Sequence, residues 1–285
     1  MLIKHIVLLL LINFLHGSAF PLGKLALNSS LPPILMASIR MGIVFLCLLP
    51  FWRFEIPDKK YFLSLFGFSI LMGVGVFVFM NLALYEAQTV SPIIIGAQLA
   101  IPFGVLASSL FINEGISIKK WFLIIVAFSG VFIIGFDPNL KNQVYALFLT
   151  ACMALCFALS QVFARHLKNL DIKLTSSYMS LTGLIVLFII SYFVEGNSLN
   201  HIKNINPFTW LLILHSSILV TIFAHMTTFY LYRFYTVGQV LPFYSLFPIF
   251  GLVQTFLIFN EIPTLLFGIG GIIVVSSVFL LQKIK

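Results

Sequence analysis

The residues of this chain that could do chemistry are few, and most of them interrupt stretches that are otherwise apolar. His16 lies in FLHGSAF, and Asn13 falls three residues earlier on nearly the same helical face. Arg40 interrupts ASIRMGIVF, and Gln98 stands in GAQLAIP, four residues before Pro102. Tyr244 and Ser245 stand in LPFYSLFP between Pro242 and Pro248, and His215 and His225 share one apolar run. Histidine titrates near neutrality and can carry a proton. An amide or a phenol can hydrogen-bond an organic molecule, and a tyrosine ring can also stack on it. Arg40, a permanent charge, can attract a carboxylate.

Each of these residues also has a plainer role open to it. His16, about 18 Å from the start of its run, is either a proton carrier or a neutral core histidine. His225 is open to the same two readings. Gln98 either cradles a substrate, beside the carbonyl that Pro102 would free, or bonds a neighbouring helix. Arg40 and Glu86 form a gating or charge pair in one reading; in another, Arg40 satisfies helix-end carbonyls and Glu86 sits at the headgroups. At 100° per residue, His215 and His225 are about 80° out of alignment, so they can flank one cavity but cannot share one metal. Phe157, Ser160 and Gln161 either line a cavity or pack. Cys152 and Cys156 share a helix face with no second ligand pair, so no metal site is expected.

The elements that must position these groups are membrane helices. The chain is 61% hydrophobic and 8% charged, against about 25% charged for a soluble domain. Long apolar runs exclude a β-barrel, whose strands alternate. Ten spans are expected, the first reaching about Lys24 as an uncleaved helix. The others fall at about 33–52, 61–85, 89–112, 119–136, 143–164, 174–194, 208–232, 238–259 and 263–282, each long enough to cross about 30 Å of hydrocarbon. The net charge of +8 is a topology signal rather than a sign of nucleic-acid binding. With the N-terminus cytoplasmic, twelve Lys and Arg fall inside, Arg53, Arg233 and Lys285 among them, and three (Lys24, Lys141 and Lys203) fall outside. Both termini are therefore expected in the cytoplasm.

One stretch occurs twice. Thr89–Glu114 and Thr236–Glu261 are identical at eight of 26 positions without a gap, including Thr89/Thr236, Val90/Val237, Gly104/Gly251, Asn113/Asn260 and Glu114/Glu261. They are the fourth and ninth expected spans, five apart, so the halves 1–137 and 143–285 should be inverted five-helix repeats. Interrupted spans at matching places in two halves point to a transporter's binding site. The dissimilar residues, Gln98 against Ser245 and Ala97 against Tyr244, are where substrate choice is expected.

At these residues the chain resembles the EamA-type members of the drug/metabolite transporter superfamily, over essentially its whole length. His16-Gly17, Phe20 and Lys24 stand where the family often has Trp-Gly, Asn-Phe and Lys, with His16 at the usual Trp and Ala19 at the usual Asn. Arg40 in the second span and the Asn-Glu ends of the fourth and ninth complete the likeness. It implies an all-α integral membrane protein of the cell inner membrane, with Asn13, His16, Gln98, Phe157, Tyr244 and Ser245 around a central cavity. The expected activity is secondary transport of a small organic metabolite, an amino acid or related compound, by efflux, coupled either to protons at His16 or His225 or to the substrate gradient alone. A membrane-embedded enzyme and an uptake or exchange carrier for nucleoside-like metabolites are the alternatives. No GxxxxGK[ST] stretch is present, so ATP does not drive the movement directly. No cofactor or nucleic acid is expected, and the protein is expected as monomer or homodimer.

Overall fold

The structure, a computed structural model, describes residues 2–51, 57–112, 115–138, 143–196, 198–231, 234–235 and 240–283. Arg53, Asn113, Glu114, Lys141, Arg233, Thr236, Val237 and Lys285 of the expectations above lie outside the described residues, as does the side chain of Ser245.

Among the described residues the ordered elements are all helical. Among the described residues, nine helices are long and apolar enough to cross a bilayer. They are α1 (Ile3–Leu27), α2 (Pro33–Phe51), α3 (Lys59–Glu86), α4 (Ser91–Phe111), α5 (Ile118–Gly135), α6 (Val144–His166), α7 (Ile172–Val194), α8 (Pro207–Thr228) and α10 (Leu265–Lys283). The expected span at 238–259 takes a different form. A 3₁₀ segment, Leu241–Leu246, leads into the 13-residue helix α9, Phe247–Phe259. A proline marks the break: Pro248, in the first turn of α9, has no N–H to offer the turn before it, so a regular helix does not run through.

Polar residues start three of the helices. Ser117 Oγ accepts from Lys120 N–H, Asp171 Oδ1 from Lys173 N–H and Asn206 Oδ1 from Thr209 N–H, at the N-termini of α5, α7 and α8. Proline occupies the first turn of α2, where its missing N–H costs nothing.

The two halves break their helices at matching places. In α4 a 3₁₀ turn, Ala97–Leu99, precedes Pro102, and 147 positions later lies the 3₁₀ segment before α9. The same offset relates two π-helical segments, Ser69–Val76 in α3 and His215–Ala224 in α8. A π turn is rare and concentrates at functional positions, so its appearance in both halves extends the duplication beyond the repeated stretch.

Glycines set the closest helix crossings. A Cβ on Gly17 of α1 would lie 2.6 Å from Gly251 N and 2.8 Å from Phe247 O of α9, so the two backbones touch. Gly130 of α5 and Gly270 of α10 make a similar crossing, each facing the other's carbonyl oxygen at under 3 Å. Gly73 in the α3 π segment lies against the Met179 carbonyl of α7. Without a hydrophobic drive between helices in lipid, such close approach supplies much of the packing energy. Gly104, the partner of Gly251 in the repeat, has no atom within 4 Å of where its Cβ would be.

Candidate functional site: a buried polar group between α1, α2, α8 and α9

Four elements bring polar side chains together at depth. Arg40 is the eighth residue of α2, about 10 Å along it, and is only 4% exposed. Its Nε and Nη2 both donate to Thr221 Oγ1 of α8, at 3.1 and 2.8 Å. The Phe77 ring of α3 lies under the guanidinium, 4.7 Å from its carbon. Thr221 Oγ1 donates in turn to the Ser216 carbonyl, five residues back, at 2.9 Å. Reaching five residues back is the geometry of the π turn; a regular α-turn would offer the carbonyl four back. Among the described residues no carboxylate pairs with Arg40, and the ion pair they form is the exposed Lys60–Asp58.

Three histidines stand on the helices that build this group, His16 on α1 and His215 and His225 on α8. The ring of His16 on α1 stands edge-on to His225 of α8, centroids 5.3 Å apart, and tilted against Tyr244 at 5.8 Å. His225 Nδ1 donates to the Val220 carbonyl at 3.3 Å, which fixes its tautomer in the neutral ring. Tyr244 Oη and Thr228 Oγ1 share a hydrogen bond of 2.8 Å, and Thr228 Oγ1 also lies 2.9 Å from the Ala224 carbonyl. Higher on α1, Ser18 Oγ donates to Leu15 O, so it is left to accept from His215 Nε2 at 3.5 Å. His215 Nδ1, His16 Nε2 and Asn13 Oδ1 are buried without a hydrogen-bond partner. Leaving such atoms unpaired is costly in a protein interior, and a ligand that offers donors and acceptors would satisfy them.

The expected residues divide into two sets. Asn13, His16, His225 and Tyr244 lie on the elements that build this group. Gln98 is buried in the 3₁₀ turn of α4 with its amide nitrogen unpartnered, and no hydrogen bond joins it to the histidines. Phe157 on α6 is 37% exposed, and its carbonyl accepts from Ser160 Oγ. Arg40 and Glu86 do not pair: Glu86 is exposed and lines a cavity of about 610 Å³ near Lys24, Glu195 and His201. Sequence reasoning passed over Thr221, Thr228, Ser18 and Phe77. Hydroxyls are common in membrane helices, and only the π turn would have singled out Thr221.

A second polar set closes the end of the bundle opposite the chain termini. Glu261 accepts from Val90 N–H, Ser91 N–H and Ser91 Oγ–H, at 2.7, 3.0 and 2.7 Å, and so caps α4 from the other half. Asn260 makes this possible. It ends α9 in the left-handed region (φ 52°), a conformation asparagine tolerates better than most residues, and the turn carries Glu261 back across the bundle. Glu195 caps α2 in the same manner, through Ile34 and Leu35 N–H at 2.7 and 2.9 Å. Lys24 donates to the Tyr85 and Ala87 carbonyls, Gln143 donates to Thr89, and Thr264 bonds Asp137.

The fold and the paired breaks define a polytopic membrane protein built from two homologous halves. Residues 3–136 and 144–282 each match the EamA-like transporter family, and the chain belongs to that family, within the drug/metabolite transporter superfamily. It is similar to an uncharacterized transporter of Archaeoglobus fulgidus, at 32% identity over 187 residues. That match spans 62% of this chain and 64% of the relative, a little under two thirds of the relative's length. A protein of solved crystal structure shares the fold with a TM-score of 0.61 over 94% of both chains, at 15% identity. Family and relative both speak for a transporter rather than an enzyme.

Proposed function

We propose that this EamA-family transporter is a secondary carrier that exports a small organic metabolite, an amino acid or related compound, from the cytoplasm by alternating access. In this reading ten spans form two inverted five-helix repeats, 1–137 and 143–285, with both termini on the cytoplasmic side of the cell inner membrane. The observation that carries it is the pair of matched breaks, in α3/α4 and in α8/α9, beside a buried polar group with unpaired donors and acceptors. Irregular backbone at membrane depth is tolerated where it lines a cavity or a substrate path. The caps by Glu261 and Glu195 tie helices of opposite halves together at the end away from the termini, which supports a carrier whose halves rock against each other. His16 and His225, in ring contact, are the residues through which a proton would couple.

Counterflow in proteoliposomes tests the reading. Liposomes preloaded with a mixed amino-acid pool should take up labelled amino acid saturably, and a folded protein that exchanges none would overturn it. His16→Gln and His225→Gln should each flatten the pH dependence of net flux; an unaltered profile in both removes the proton from the mechanism.

A further inference from the structure

Arg40 goes beyond the reading just given, on which this inference rests. Its guanidinium has five N–H donors arranged around a planar fork. Thr221 Oγ1 takes one from Nε and one from Nη2, which uses the side edge of the fork. The other three N–H groups, at the Nη1/Nη2 end, have no hydrogen-bond acceptor among the described residues. Burial of an unpaired charge is costly, and Arg40 is only 4% exposed. Such a group persists where something supplies the missing charge.

Nothing in the surrounding protein does so. Among the described residues, Asp137 is the one acid that is buried, and it is bonded to Thr264 at the end of the bundle away from the termini. Arg40 contacts a hydroxyl and the face of Phe77, neither of them anionic. Thr221 has spent its own hydrogen on Ser216 O, so it presents only lone pairs to the guanidinium and holds its plane fixed. The open end edge of such a fork is matched by the two oxygens of one carboxylate, which it can bind in parallel.

We infer that Arg40, oriented by Thr221 and Phe77, is the anchor for a carboxylate on the transported molecule, so that the substrate class is small organic acids, amino acids included. The unpartnered His16 Nε2, His215 Nδ1 and Asn13 Oδ1 then face the remainder of the substrate as neutral polar contacts. Phe77 sets the plane, Thr221 sets the rotation, and the substrate's negative charge replaces the missing counter-ion.

The test compares acids with their own amides. Purified wild-type protein in proteoliposomes is assayed by counterflow with L-leucine and L-leucinamide, L-phenylalanine and L-phenylalaninamide, L-threonine and L-threoninamide, and uridine as a neutral solute without a carboxyl group. The expected result is exchange of one or more acids with at least tenfold preference over the matched amide. Arg40→Gln should raise the half-saturation concentration of that acid at least tenfold, Arg40→Lys should recover part of the loss, and Thr221→Val should weaken the acid but not the amide. Should Arg40→Gln fail to fold, the acid-to-amide ratio of wild type and of Thr221→Val decides alone. Equal exchange of acid and amide, or exchange of uridine alone, overturns the anchor while leaving a carrier in place. No exchange of any of these solutes by folded protein overturns the carrier of amino acids and the anchor together.

Discussion

The π segments of α3 and α8 occupy equivalent places in the two halves, yet one is apolar and the other holds much of the buried chemistry. At the shared offset, Phe68 answers to His215, Ser69 to Ser216, Val74 to Thr221 and Val78 to His225. The first half keeps the wide turn and uses it for packing, with Gly73 against the Met179 carbonyl and Gly75 against Cys156 Sγ. In the second half the turn lets Thr221 and His225 reach carbonyls five residues back and still face Arg40 and His16. Backbone geometry and side-chain chemistry are therefore separable: both copies keep the break, and only one of them surrounds it with polar groups.

The glycines offer the harshest test of that asymmetry. Gly17→Ala should cost about 1–3 kcal/mol or more, since its Cβ meets backbone that cannot swing aside. Gly104→Ala, at the first-half counterpart of the Gly251 against which Gly17 packs, meets open space among the described residues and should change stability by no more than about 1 kcal/mol. Thermal unfolding in detergent, read as loss of the monodisperse peak, separates the two; equal effects would mean that Gly104 sits in as tight a place as the Gly17–Gly251 crossing.

A smaller effect is expected in the broken helices. Tyr244→Phe removes one partner of Thr228, a hydrogen bond worth about 0.5–1.5 kcal/mol, and should lower transport several-fold. Gln98→Ala, on the first-half side, should change transport less, because no hydrogen bond ties Gln98 to the histidines. A larger loss in Gln98→Ala would shift the site toward the first half. The mildest change is Val74→Thr, which gives the apolar π turn the hydroxyl of its counterpart. Its kinetics should stay within about twofold of wild type, since that hydroxyl can bond a carbonyl of its own helix, and a marked loss would show that both turns touch substrate.

Much of the architecture was legible in the sequence. Apolar runs of spanning length gave nine of the helices, and prolines marked the two breaks in the repeated stretch. The π turns were not legible. Neither contains a proline, and a fixed 100° per residue hid the change of register between His215 and His225. Arg40 was visible as a charge at depth, but its partner lies 181 residues away as an ordinary threonine. The Asn-Glu ending could be seen as a repeated pair without a reason. In the second copy its reason is mechanical: Asn260 is a left-handed residue, and Glu261 after it is a carboxylate placed to cap a helix of the opposite half.

The paired π turns also date an event. Such a turn holds one residue more than the α-turn it replaces, so it records an insertion. Two independent insertions at the same register, 147 positions apart, are a less economical history than one that was copied. The ancestral half thus carried its break before it doubled. Deleting one residue from either turn would undo the older of the two steps, leaving the duplication in place but rotating everything beyond it.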